Sequence, residues 1–224
     1  MRPWAKISFA LLLLCRSALA QGFVNLDFEN PILPLSPVFN TISAANGIPG
    51  WTAYLDGNPD GIIGYNTISL AGSYVSLEDV NNISPLPIQG NYSVYVQGPE
   101  PGLETSAAIG QTGTIPNTAQ SLTFLASLFG TLQVTFNGQN VPFSAIGSGA
   151  NYTIYGANIA SYAGQTGQLL FTSPVSSSAQ FRNSALLDNI QFSSSSVPEP
   201  SEFALTALGA LLLGFRRWRN FFAS

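Results

Sequence analysis

Apolar and polar positions alternate with a period of two along much of this chain, which favours strands over helices. Residues 92–96 read Tyr-Ser-Val-Tyr-Val, with aromatic and β-branched positions interleaved with others as a half-buried strand requires. Further runs of the same kind stand at 23–28, 50–55, 122–126, 132–136, 152–155, 168–172 and 186–192. Between them lie glycine, proline, serine and asparagine, residues that close turns. Asn137-Gly138 follows Phe136 directly and tolerates left-handed backbone at both positions, so it predicts a two-residue turn joining 132–136 to 141–146. Helical spacing in the body is confined to one turn at 158–163. The pattern predicts an all-β body, an antiparallel β-sandwich of about eight to ten strands.

Both chain ends depart from this pattern. Arg2 and Lys6 precede an apolar segment at 7–14, and Ala18-Leu19-Ala20 places small residues where a signal peptidase reads them. Residues 1–20 are therefore read as a signal peptide cleaved before Gln21. Cys15 is the only cysteine; Leu14 and Arg16 beside it disfavour lipid attachment, and it leaves with the signal. The mature body then has no thiol, and the core alone must hold a domain large enough to build one. At the other end, 203–215 carries no charge and would make a helix of roughly 20 Å, against a hydrocarbon core of roughly 30 Å. Arg216, Arg217 and Arg219 follow with Trp218 among them, as expected of a cytoplasmic flank whose arginines lengthen a short span by snorkelling. Leu205, Leu208, Leu211, Leu212 and Leu213 point all round that helix, so packing on a soluble domain would have to bury every face. The domain plan is thus a signal peptide at 1–20, a β-sandwich at 21–192, a serine tether at 193–196, and a tail at 197–220 containing a transmembrane helix at 203–215.

Composition removes much chemistry. The chain has no histidine, and its only lysine is Lys6. Imidazole bases, Schiff-base lysines and cysteine nucleophiles are absent from the mature body, so the common activated-nucleophile sets cannot be assembled, and the expectation is that it is not an enzyme. Nine acids (Asp27, Glu29, Asp56, Asp60, Glu78, Asp79, Glu100, Glu104 and Asp188) face the single Arg182 between 21 and 196. Such a field repels phosphate, which excludes nucleic acid as a partner. A glycoside hydrolase would need two carboxylates facing a cleft; the pairs Glu100/Glu104 and Glu78/Asp79 read instead as solvated loop charges. Asp56, Asn58 and Asp60 with Gly61 copy the first half of a calcium loop. Thr67 stands where a bidentate Glu is needed, so Asp56-Gly57 is read as a turn between strands.

Pro198-Glu199-Pro200, the apolar helix and the closing arginines, in that order, resemble the PEP-CTERM sorting signal of exopolysaccharide-producing Gram-negative bacteria. The resemblance implies that the motif is substrate for an exosortase-type membrane transpeptidase, and that the body is delivered to the cell surface after transient anchoring by its C-terminal helix. Leu26-Asp27-Phe28-Glu29-Asn30, Ile48-Pro49-Gly50-Trp51 and Leu186-Leu187-Asp188-Asn189-Ile190 resemble galactose-binding-like jelly rolls of carbohydrate-binding modules. Asn137-Gly138-Gln139 and the stretch at 160–165 resemble segments of PEP-CTERM surface proteins with such a body. This implies a jelly-roll sandwich that binds or sits in extracellular polysaccharide, with a passive matrix protein lacking a defined ligand as the alternative. In those jelly rolls a structural calcium joins first and last strands, and Glu29 and Asp188 occupy the matching positions. The sugar-stacking candidates are the tyrosines, among them Tyr92, Tyr95, Tyr152 and Tyr155, which β propensity alone also favours in strands.

Overall fold

The computed structural model describes residues 22–34, 40–69, 72–82, 85–100, 105–177 and 181–197. In chain order they form β1 (Thr41–Ser43), the helical turn α1 (Ala44–Gly47), β2 (Thr52–Leu55), β3 (Asn58–Asp60), β4 (Ile62–Tyr65), β5 (Tyr74–Asp79), β6 (Tyr92–Gln97), β7 (Ala107–Thr114), β8 (Ser121–Phe129), β9 (Gln133–Phe136), β10 (Gln139–Asn140), β11 (Ser144–Ser148), β12 (Thr153–Asn158), a 3-10 turn (Ala160–Tyr162), β13 (Thr166–Ser173) and β14 (Ser184–Ser193). One sheet has eight strands in the order β1-β4-β5-β6-β14-β8-β12-β11, the other six in the order β10-β9-β13-β7-β2-β3. Pairing is antiparallel apart from β4 with β5. The all-β expectation holds. The signal peptide and the helix at 203–215 lie outside the described residues, and among the described residues no helix is long and apolar enough to cross a membrane.

Several strands carry no alternating pattern. β7 reads Ala-Ala-Ile-Gly-Gln-Thr-Gly-Thr, yet it lies inside the six-stranded sheet between β13 and β2. Its glycines make room for larger neighbours: a Cβ at Gly110 would stand 2.8 Å from Leu170, and one at Gly113 would stand 2.9 Å from Phe23. Asn137 (φ 48) and Gly138 (φ 75) make the expected turn, with Gln139 opposite Phe136. The returning strand is shorter than expected, because Pro142 has no N–H to donate; β11 then joins the other sheet beside β12. Asp56 (φ 51) and Gly57 (φ 73) form the turn between β2 and β3, with Leu55 opposite Asn58.

The stretch at 23–28 is not the strand its composition suggests. Asn25 (φ 49) and Phe28 (φ 57) bend it, and it hangs from Gln111, whose amide accepts from Val24 N (2.6 Å) and donates to Val24 O (2.9 Å). This delivers Phe28 into the core against Trp51, ring centroids 5.5 Å apart, while the Trp51 indole donates to Asn25 O at 2.9 Å. Trp51 meets Phe171 at 6.2 Å, and Phe171 meets Phe124 of the opposite sheet edge-on at 5.3 Å. This aromatic column welds the two sheets, and offset or edge-on ring pairs add to the area that each ring buries.

The outer face of the eight-stranded sheet is partly covered. Gln97 donates to Ser69 O (2.9 Å) and Gly72 O (3.0 Å), which holds those two residues against that face. Ile88 packs on Leu125 and Leu186, with its amide donating to Ser93 Oγ at 2.8 Å. Serines expected to form a tether continue the domain instead: Ser193 closes β14, and Ser195 O accepts from Ser121 Oγ at 2.7 Å. Val197 then fills the space left by Gly156 of β12, where a Cβ would stand 2.9 Å from its Cγ2.

Candidate functional site

Glu29 and Asp188 come together. With Asp27, Gln89, Gly90 and Asn189 they line a cleft of about 270 Å³ at one end of the sandwich. Glu29 arrives on the bent segment after Phe28; Asp188 arrives on β14 beside a bulge between Asp188 and Gln191. Gly90 (φ 60) lets the next loop close on Glu29, since a Cβ there would stand 2.2 Å from Glu29 Oε1. Glu29 Oε1 accepts from the amides of Asn91 (2.8 Å) and Tyr92 (3.0 Å), and Oε2 from Asn91 Nδ2 (3.1 Å). Asp188 Oδ2 accepts from Gln89 N (2.9 Å) and Ser93 Oγ (2.8 Å), and Oδ1 from Asn189 N (2.7 Å). Burial pushes the Asp188 carboxyl up to about 6 against those hydrogen bonds, and the charge of Glu29 raises it further. Every side chain lining the cleft carries oxygen, which suits a hard cation. Among the described residues no three of His, Cys, Asp and Glu converge as an all-side-chain cage.

Glu78 and Asp79 correct the reading of both as solvated loop charges. Both lie on β5, and Glu78 is fully buried. Asp79 is held by Tyr65 Oη, Asn66 Nδ2 (2.8 Å), Asn81 N (2.7 Å) and Asn81 Nδ2 (3.2 Å), and the hydrogen bonds pull its carboxyl below the usual range despite burial. Glu78 faces the other way. Its Oε2 accepts from Asn82, while Oε1 and the neighbouring Ser76 hydroxyl are buried with no well-formed hydrogen bond. Burial pushes the Glu78 carboxyl up to about 7, with Ser76, Asn82 and the Thr67 backbone opposing the shift and Asp79 adding to it. Of the other acid pair, Glu100 makes an ion pair with Arg182 at 2.5 Å, and Glu104 lies outside the described residues.

The tyrosines split by strand parity. Tyr92 and Tyr155 pack on the main core, Tyr155 stacked on Phe124 at 5.4 Å. Tyr95 and Tyr152 belong to a second apolar cluster with Ile88, Leu125, Leu186 and Ile154 on the outer side of the eight-stranded sheet. There Ser76, Tyr95, Leu186 and Ser127 stand side by side on β5, β6, β14 and β8. Both tyrosines are half-buried, and Ser127 between them is exposed. Tyr152 is pinned by Gly149, where a Cβ would stand 2.3 Å from its ring. Further along β8, Phe129 pairs edge-on with Phe181 at 5.6 Å, with 53% and 55% of their surfaces exposed. The signal was present in Tyr-Ser-Val-Tyr-Val: Tyr92 and Tyr95 are an odd number of residues apart and must face opposite ways.

The sorting residues Pro198, Glu199 and Pro200 and the flanking Arg216, Arg217 and Arg219 lie outside the described residues. No family model matches the chain, and no curated protein does. Solved structures similar to it include the Stig cyclase Fisc from Fischerella sp. TAU in complex with an indole compound (16% identity, TM-score 0.42, covering 78% of this chain and 96% of that one). TmCBM61 in complex with β-1,4-galactotriose is similar at 14% identity and TM-score 0.37, covering 78% and 99%. The enzymatically active domain of bacteriophage CBA120 tailspike protein 4 is similar at 16% and 0.36, covering 70% and 22%. The expectation of a body that is not an enzyme is corrected here: four of the solved structures similar to the chain are cyclases, and the tailspike domain is an enzymatically active one. At such low similarity no activity passes from any of them to this chain.

Proposed function

We propose that the chain is a carbohydrate-binding β-sandwich of the jelly-roll kind that takes glycan on the outer face of its eight-stranded sheet. The observation that carries this reading is the placement of Tyr95 and Tyr152, half-buried on an apolar floor of Leu125, Leu186 and Ile154, with exposed Ser127 between them. A sugar offers an apolar C–H face and a polar hydroxyl edge, and a tyrosine ring with its phenol answers both. The galactotriose complex of TmCBM61 is compatible with this reading, which rests on the face itself. Export by residues 1–20, recognition of Pro198-Glu199-Pro200 by an exosortase-type transpeptidase, transient anchoring by 203–215 and delivery to the cell surface complete the proposal on sequence grounds.

Calcium belongs to the same proposal. Glu29 Oε2 and Asp188 Oδ1 each accept a single hydrogen bond and retain room for a cation, with Asp27 beside them. Bound there, calcium supplies charge neutralisation where two carboxylates repel, and ties the N-terminal segment to β14. Affinity electrophoresis of the full chain through gels cast with a panel of polysaccharides tests the binding function. Retardation by at least one, lost in Tyr95→Ala and Tyr152→Ala, is expected; no retardation by any overturns it and leaves a matrix protein without a defined ligand.

A further inference from the structure

The exposed part of the outer face carries no free charge among the described residues. Its two acids, Glu78 and Asp188, are 0% and 1% exposed. Asp27 and Glu29 lie in the end cleft, Asp56 and Asp60 on the hairpin of the other sheet, and Asp79 in the Tyr65–Asn66 network. Arg182, the one cation of the body, donates to Glu100 (2.5 Å) and to Ser69 O (2.8 Å). What remains on the face is the phenols of Tyr74, Tyr95 and Tyr152, the exposed Ser127 hydroxyl, the Thr123 and Gln191 side chains, aliphatic side chains and the Phe129–Phe181 pair.

Spacing sets the length of what this face can engage. Tyr95 lies on β6 and Tyr152 immediately before β12, with β14 and β8 between them. Three strand spacings amount to about 14 Å, longer than one pyranose. A single sugar cannot meet both rings; a chain running across the strands can. Both rings are held in place before any ligand arrives, Tyr95 beside Leu186 and Tyr152 over Gly149, so little ordering cost falls on binding.

We propose that this face selects an uncharged, linear glycan of at least three sugars laid across the strands, with Tyr95 and Tyr152 on different sugars of one chain, an inference that rests on the carbohydrate-binding reading above. A uronate or sulfated polymer meets only Arg182, already neutralised by Glu100, and the acidic body repels it. The negative field also makes rejection of polyanions weaken with salt, while neutral binding stays constant.

The test is titration calorimetry on the full chain, held in a detergent without a sugar headgroup, with gluco-, galacto- and manno-oligosaccharides from one to six units and with alginate and polygalacturonate at low and high salt. Expected are no measurable binding of monosaccharides, affinity rising at least tenfold between the disaccharide and the longer oligomers of one series, no uronate binding at low salt, and a tenfold or greater loss in either tyrosine-to-alanine variant. Gly149→Ala, which displaces the Tyr152 ring without deleting it, is expected to flatten the length dependence while leaving the melting temperature within a few degrees. Uronate binding as tight as neutral binding, or a monosaccharide as good as a hexasaccharide, both still tyrosine-dependent, overturns this inference and leaves the binding face standing. Binding that survives both alanine variants moves the site elsewhere and overturns the face itself, and no binding to any glycan overturns both.

Discussion

Replacing Glu78 by glutamine is expected to remove a large part of this protein's pH dependence of stability. The carboxyl is fully buried, and its Oε1 has no well-formed hydrogen bond. In the unfolded chain it ionises near its ordinary 4.5, whereas in the fold it keeps its proton up to about 7. Stability is therefore complete below pH 4.5, declines as pH rises from there, and has lost this contribution in full once pH passes 7. The rise from 4.5 to about 7 corresponds to about 3 kcal/mol. Asp188 adds a decline of the same sign, beginning near 3.8 and complete above about 6, as long as no cation holds it ionised. Glutamine keeps the shape and the acceptor for Asn82 but cannot ionise, so Glu78→Gln matches the parent at pH 4.5 and exceeds it at pH 8 by about 3 kcal/mol. Urea unfolding followed by tryptophan fluorescence, with chelator present, gives the free energy at each half pH unit from 4 to 8. Parallel curves for parent and variant across that range would refute the argument, because the burial of an ionisable group would then have no energetic consequence.

Three further outcomes are expected, two from the geometry and one from the sequence. Chelator is expected to lower the melting temperature, and Glu29→Gln or Asp188→Asn to abolish the difference; identical melts in calcium and chelator would dispose of the metal. Phe171→Ala, which cuts the aromatic column between Trp51 and Phe124, is expected to cost roughly 3–5 kcal/mol in urea unfolding, and a cost below 1 would mean that the sheets are welded elsewhere. Intact mass of protein extracted from the surface of its own cells is expected to lack residues 1–20 and everything beyond Pro198-Glu199-Pro200; a chain still carrying Arg219 would contradict the sorting reading.

The strands legible in the sequence are those whose two faces differ in kind. β6, β8, β13 and β14 combine apolar core positions with polar or aromatic outer ones, and the period of two exposes them. β7 is illegible because its burial is conferred by others: Phe23, Tyr54 and Leu170 occupy the space that its small residues leave. β5 carries the alternation, Val75 and Leu77 against Ser76 and Glu78, and what its pattern hides is the burial of the polar positions. Ser76 and Glu78 are polar, as an outer face should be, but neighbouring segments cover that face and bury them. Covering is a tertiary fact that no local window contains, and it turns a supposed surface acid into the least solvated carboxyl among the described residues. The meeting of Glu29 and Asp188 depends on chain ends 159 residues apart and was suggested only by resemblance. The separation of Tyr95 from Tyr92 needed nothing beyond counting along one strand.

The way the chain leaves the domain has a mechanical side. β14 is ten residues long and runs between β6 and β8 within the eight-stranded sheet, and the residues after it continue past Ser121 to the seat of Val197 on Gly156. Tension applied beyond Val197 would first lift that valine, a small and reversible give. It would then pull on a strand hydrogen-bonded along both edges, where the pairs with β8 resist together as a lap joint does instead of opening one after another like a zip. A domain tethered in this manner bears load through one of its inner strands.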